Sequence, residues 1–153
     1  MLRVTKLTDY ATVVLTVLAD DAARVHSAAE LAERSRVEPA TVAKVLKLLA
    51  QAGLVESFRG ATGGYRLARA PEHIALIHIV EALEGPLGIT TCSVHEGECG
   101  IESHCGIRDG WQRINDVVAD ALNRTTLADM LAPAPASKPK KTPKAIPAAL
   151  VTT

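Results

Sequence analysis

Apolar residues recur at three- and four-residue steps in TDYATVVLTVLADDA, where Ala11, Val14, Leu15 and Leu18 share one stripe. That period predicts a helix. Thr8 is placed to cap it and Asp9 to sit in its first turn. The next segment, SAAE at 27–30, has the Ser-x-x-Glu form of a capping box and opens a short helix running to about Ser35. After a break at Arg36 and Val37, Glu38 reads as an N-cap and Pro39 as a first-turn proline. The helix they start has Val42, Val45, Leu46 and Leu49 inward, and Gly53 is suited to end it.

The period then changes. LVESF (54–58) and YRLAR (65–69) are strand-like, and between them RGATGG supplies Gly60, Gly63 and Gly64 for a hairpin loop with positive φ angles, flanked by Arg59 and Arg66. Three short helices followed at once by a glycine-rich basic hairpin predict a winged helix-turn-helix. IALIHIVEALE (74–84) is a further amphipathic helix closed by Gly85 and Pro86. A polar, glycine-rich stretch follows to about residue 108. From Asp109, DGWQRINDVVADALNRTTLADML reads as one long helix with Trp111, Ile114, Val118, Ala121 and Leu122 on a stripe. So small a winged domain has little surface to cover that stripe, so a second copy of the chain is the expected cover. The expected fold is mainly α: a winged helix-turn-helix at 1–84, a cysteine-bearing loop at 85–108, a dimerisation helix at 109–131, and a Pro/Ala/Lys-rich disordered tail at 132–153.

Charge sharpens the reading. The 153 residues sum to zero net charge, yet residues 1–70 carry ten Lys/Arg against seven Asp/Glu, 71–132 three against ten, and 133–153 four against none. A polyanion responds to the local field, so the basic winged region remains a nucleic-acid candidate. No apolar run approaches the roughly 18 residues that cross a bilayer, and no signal peptide is evident, which predicts a cytoplasmic protein without a membrane partner.

On the third helix the outward face offers Ala40, Thr41, Lys44 and Lys47, with the first turn nearest the base edges of a major groove. Arg59 and the turn Gly63, Gly64, Tyr65 would follow the flanking backbone or minor groove. The expected partner is double-stranded DNA, and a homodimer would read a palindromic operator. The competing reading treats these cations as ordinary solvated charges on a winged helix that binds protein.

All three cysteines fall within TTCSVHEGECGIESHCGI at 90–107, spaced C-x(6)-C-x(5)-C. An odd, clustered set suits metal binding or redox sensing better than a disulfide framework. Zinc prefers short paired spacings such as C-x(2)-C, while iron–sulfur clusters accept wider ones. Spacing alone leaves open, in that order, an iron–sulfur cluster, zinc, and redox-active or free thiols. The absence of a Cys-x-x-Cys pair or a base to activate a nucleophile argues against an enzyme, the reading from another class being a thiol redox protein without a DNA role.

KLTDYA (6–11), KVLKLLAQAGLVESFRGATGGYRLA (44–68), the three cysteines, and W-x-x-I followed by TLADML (126–131) together resemble the Rrf-type winged-helix regulators, with their IscR-like and NsrR-like iron–sulfur sensors. The likeness spans about residues 1–131, and the opening LRVTKLTDYATVVLTVLA is most similar to regulators of the SUF cluster-assembly operon. It implies a homodimeric repressor of cluster-assembly genes carrying a cluster, 2Fe–2S ahead of 4Fe–4S, on Cys92, Cys99 and Cys105. IscR-like members place a histidine three residues after the third cysteine, and here that position is Arg108. NsrR-like members use an aspartate of the first helix across the dimer, and Asp9 matches it. Asp9 is thus the candidate fourth ligand, with His104, His95, Glu98 or a small exogenous ligand as alternatives; Asp9 also favours the second functional reading, a repressor responding to nitric oxide or another oxidant.

Overall fold

The computed structural model describes residues 3–95 and 97–133. Helix α1 runs Lys6–Ala19, α2 Ala28–Ser35 and α3 Pro39–Gln51. Strands β1 (Val55–Phe58) and β2 (Gly64–Leu67) form the hairpin, and α4 (Leu76–Glu84), α5 (Thr91–Val94), α6 (Arg108–Arg124) and α7 (Leu127–Leu131) complete the chain. The mainly α winged helix-turn-helix with one long helix is the fold the periodicity predicts.

Its core follows the predicted stripes. Ala11, Val14, Leu15 and Leu18 of α1 meet Leu31 of α2 and Val42, Val45, Leu46 and Leu49 of α3, all fully buried. Burying each of these valine and leucine side chains contributes about 1.5–3 kcal/mol. The start of α1 departs from expectation. Thr5 is the N-cap, its hydroxyl accepting from the Thr8 amide at 3.3 Å, while Thr8 lies inside the helix and 2% exposed. The reason is tertiary: the carboxylate of Glu84, at the end of α4, accepts from the Thr5 amide at 2.9 Å and from the Thr8 hydroxyl.

Ser27 caps α2 as predicted, accepting from the Glu30 amide at 3.1 Å. The capping box is only half made, because Glu30 turns to Arg24 at 2.9 Å and to Nδ1 of the fully buried His26 at 3.1 Å. The tight turn before α3 passes through Arg36 at φ 56°, the one non-glycine with positive φ among the described residues. A left-handed conformation costs an L-residue about 1–2 kcal/mol. Gly53 takes the same geometry at the end of α3, at φ 69°.

The hairpin is antiparallel, pairing Val55 with Leu67 and Phe58 with Gly64. Its glycines serve different ends than predicted. Only Gly60 has positive φ, 114°. Gly63 and Gly64 are required for space: a Cβ on Gly63 would lie 2.4 Å from the Phe58 carbonyl oxygen, and one on Gly64 2.2 Å from that of His26. The His26 contact arises because His26 and Tyr65 exchange two backbone hydrogen bonds of 2.8 Å, stitching β2 to the α1–α2 connection.

The single helix expected over 109–131 is two. Thr125 adopts an extended conformation, and Thr126 starts α7 with a reciprocal capping box, exchanging hydrogen bonds with Asp129. Two adjacent threonines favour this break, being β-branched and, at Thr126, a good N-cap. The amides of Leu76 and Leu127 bond the carbonyls of Thr125 and Ile74, and Leu127 enters the winged core fully buried. Apart from Ala132 and Pro133, the tail expectation for 132–153, with its lysines, lies outside the described residues.

Candidate nucleic-acid interface and cysteine segment

Ala40, Lys44 and Lys47 are exposed on α3, as the helical repeat requires once Val42, Val45, Leu46 and Leu49 face inward. Thr41 is half-buried and its hydroxyl donates to Glu38 at 3.2 Å. Among the described residues no carboxylate lies within 4 Å of Lys44, Lys47 or the exposed Arg59. Three other cations of the winged region are already neutralised. Arg34 pairs with Asp20 at 2.8 Å, Arg24 with Glu30 at 2.9 Å, and Arg66 with Glu56 at 2.8 Å. Arg66 also lies 5.0 Å from the centre of the Phe58 ring, so it stiffens the wing rather than presenting free charge. Gly63 and Gly64 are half-exposed in the wing, whereas Tyr65 packs its side chain partly against the core and uses its backbone to hold His26. The structure thus brings Ala40, Thr41, Lys44 and Lys47 onto one helix and Arg59, Gly63 and Gly64 onto the adjoining wing; Tyr65 supports that wing from beneath.

The cysteine segment carries more local structure than a loop. Cys92 lies in α5 with its Sγ 3.3 Å from the Thr90 hydroxyl, and Cys105 follows a 3₁₀ turn at Glu102–His104. All three thiols are half-buried and free of disulfides. Glu102 organises the segment: its carboxylate accepts from the Gly97 amide at 2.8 Å and pairs with Arg108, at the start of α6, at 2.8 Å. Arg108, at the position of the missing histidine, is therefore part of a structural clasp. Sequence reasoning missed Glu102 because its partners lie on either side of it with no repeating spacing.

As a donor set, three free thiols match an iron–sulfur cluster in kind. Within one chain they are not assembled: among the described residues no three Cys, His, Asp or Glu side chains are gathered closely enough to hold a metal ion. Asp9 is exposed on α1, beside a groove lined by Thr5, Leu76, Val80, Leu122 and Met130, with no cysteine in its lining among the described residues. Of the alternative ligands, His104 is exposed and bonded to Ser103 at 2.8 Å, and His95 and Glu98 are exposed. The N-cap residue Ile107 and Trp111, Ile114 and Val117 of α6 are between 38% and 68% exposed, an uncovered apolar face next to the cysteine segment.

The chain is similar to known proteins along most of its length. The rrf2-like HTH-type transcriptional regulator of Rhodobacter capsulatus is 32% identical over 138 residues, 84% of this chain and 92% of that protein. Among solved structures, CymR, the global cysteine regulator of B. subtilis, superposes with a TM-score of 0.67 at 31% identity, covering 85% of this chain and 96% of its own. T. potens IscR does so with a TM-score of 0.63 at 29% identity, covering 85% and 86%. These relatives are transcriptional regulators, a non-enzymatic class, and no helix among the described residues is long and apolar enough to cross a membrane. Residues 4–133 match the Rrf2 family, described as iron-dependent transcriptional regulators, and the chain belongs to that family of helix-turn-helix, DNA-binding proteins.

Proposed function

We propose that the chain acts in the cytoplasm as a homodimeric repressor of iron–sulfur cluster-assembly (suf-type) genes, its grip on a palindromic operator set by an iron–sulfur cluster. Cys92, Cys99 and Cys105 would hold the cluster, 2Fe–2S in preference to 4Fe–4S, and Asp9 of the partner subunit would supply the fourth ligand. The observation that carries this reading is the placement of three free, half-exposed thiols on the segment leading into the uncovered apolar face of α6. Ligands left apart in one chain suit a site completed between two. When bound, the cluster would join Cys92 of α5 to Cys99 and Cys105 on either side of the Glu102 turn, and its loss would remove that link.

Ala40, Thr41, Lys44 and Lys47 would enter the major groove, with Arg59, Gly63 and Gly64 along the adjoining backbone and Tyr65 holding the wing in register. A hundredfold change in operator affinity needs only about 2.7 kcal/mol of preference for one cluster state, an amount that a few metal–thiolate bonds exceed. Protein isolated without oxygen should carry iron and inorganic sulfide and absorb in the visible range. If a Cys92→Ala/Cys99→Ala/Cys105→Ala variant keeps the same iron, spectrum and DNA footprint, the proposal fails.

A second reading, that the stimulus is nitric oxide or another oxidant attacking the same cluster, is favoured by Arg108 standing where a histidine ligand is otherwise found and being engaged with Glu102. Footprinting after nitric oxide treatment, compared with simple cluster removal, separates the two.

A further inference from the structure

Arg36 occupies a conformation that the chain elsewhere gives to glycine. At the end of α3 the same left-handed turn is made by Gly53, yet the turn between α2 and α3 keeps an arginine at φ 56°. Among the described residues its side chain has no polar partner to offset that strain. Arg36 is exposed, its amide makes only a long 3.4 Å bond to the Glu33 carbonyl, and no carboxylate among the described residues lies within 4 Å of its guanidinium, although Glu33 and Glu38 are close in sequence. Strain that persists at an exposed position without a folded-state partner is characteristic of residues kept for contact with something else.

Its location supplies the candidate. Arg36 precedes Ala40 by four residues, so the two α-carbons can be no further apart than about 14 Å, and it sits at the end of α3 that presents Ala40 and Thr41. Like Lys44, Lys47 and Arg59, and like Arg3, Lys6 and Arg69 elsewhere in the winged region, it has no ion pair among the described residues, whereas Arg24, Arg34 and Arg66 are neutralised; of the unpaired cations it is the one at the turn into α3. A guanidinium offers a fork of donors that matches two phosphate oxygens.

We propose that Arg36 binds a DNA phosphate, and that it is held at the helix-turn-helix turn although its backbone conformation lowers fold stability. This rests on the DNA-binding reading of α3 and the wing, and it adds a third backbone anchor that neither element contains.

The test uses Arg36→Gly, which relieves the backbone strain while deleting the guanidinium, and Arg36→Lys, which keeps the charge but not the fork. The probe is a duplex of about 30 base pairs selected from a random pool by the wild-type full-length chain, long enough for two half-sites one turn apart. Arg36→Gly should raise the melting temperature by a few degrees and weaken duplex binding about five- to tenfold. The slope of log K against log salt should fall in magnitude by about 0.9 for each phosphate that the dimer no longer neutralises. Arg36→Lys should retain most of the salt slope and lose part of the affinity. A stabilised Arg36→Gly protein that binds the duplex with unchanged affinity and salt slope would overturn the proposal. If the wild-type chain selects no duplex at all, the DNA-binding reading falls and takes this one with it, an outcome separable from the first.

Discussion

The Glu84 carboxylate draws on Thr8 first and then on the Thr5 amide, and these hydrogen bonds hold its pKa below the ordinary glutamate value of 4.5. A depressed carboxylate contributes its stability above the unfolded value and loses it as pH falls through the folded one. Glu84→Gln should therefore cost about 1 kcal/mol near neutrality and flatten the loss of stability on acidification from about pH 5 to pH 3, as measured by urea unfolding at each pH. Some slope should survive, because Glu30, lowered chiefly by its bond to His26, and Asp129, lowered chiefly by the Thr126 amide, shift in the same sense. Residue-level chemistry is legible where it depends on local spacing: the cysteine cluster, the Ser27 cap and the Gly53 stop all stand out in the sequence. Glu84 does not, since its partner Thr8 is 76 positions away and no periodicity connects them. The N-cap of α1 is ambiguous for the same reason, two threonines three apart being equally good caps until α4 chooses between them.

Among the elements, the wing is set by close approach rather than by loop freedom. Gly64→Ala would drive a Cβ to 2.2 Å from the His26 carbonyl oxygen, which belongs to backbone and cannot swing aside. The expected cost is about 2–3 kcal/mol, seen as a lower melting temperature, together with weakened DNA binding as the wing loses its seat. The glycines are visible in the sequence, but the pairing of His26 with Tyr65 that explains Gly64 joins residues 39 apart and is not. The same limit divides the long C-terminal helix. Its apolar stripe continues through the break, so period alone favours one helix, while the backbone bonds from Thr125 and Leu127 to the turn before α4 decide for two. Thr126→Ala should lower stability by about 1 kcal/mol in thermal melts through loss of the α7 cap.

At the level of the whole molecule, zero net charge conceals a basic winged region followed by an acidic stretch over 71–132, so DNA binding should be steeply salt-dependent. A Lys44→Ala/Lys47→Ala double variant should reduce the salt slope by about 0.9 for each phosphate left without its lysine, without changing the melting temperature by more than a degree or two. Ile114→Asp, placed on the uncovered face of α6, should yield a monomer by light scattering and abolish protection of the operator. That face belongs to a helix tied to the winged region near Leu127. A helix of 17 residues is a rod about 26 Å long. Just past its far end the Thr125 carbonyl accepts from the Leu76 amide and Leu127 of α7 is sunk among α1 and its neighbours, while midway along α6 Asn115 accepts from the Ile89 amide at 3.1 Å. Ordering or loosening the cysteine segment would therefore be felt at the winged core through α6 and the tie at Thr125, which pulse-labelling hydrogen exchange at the Leu76 and Leu127 amides would read.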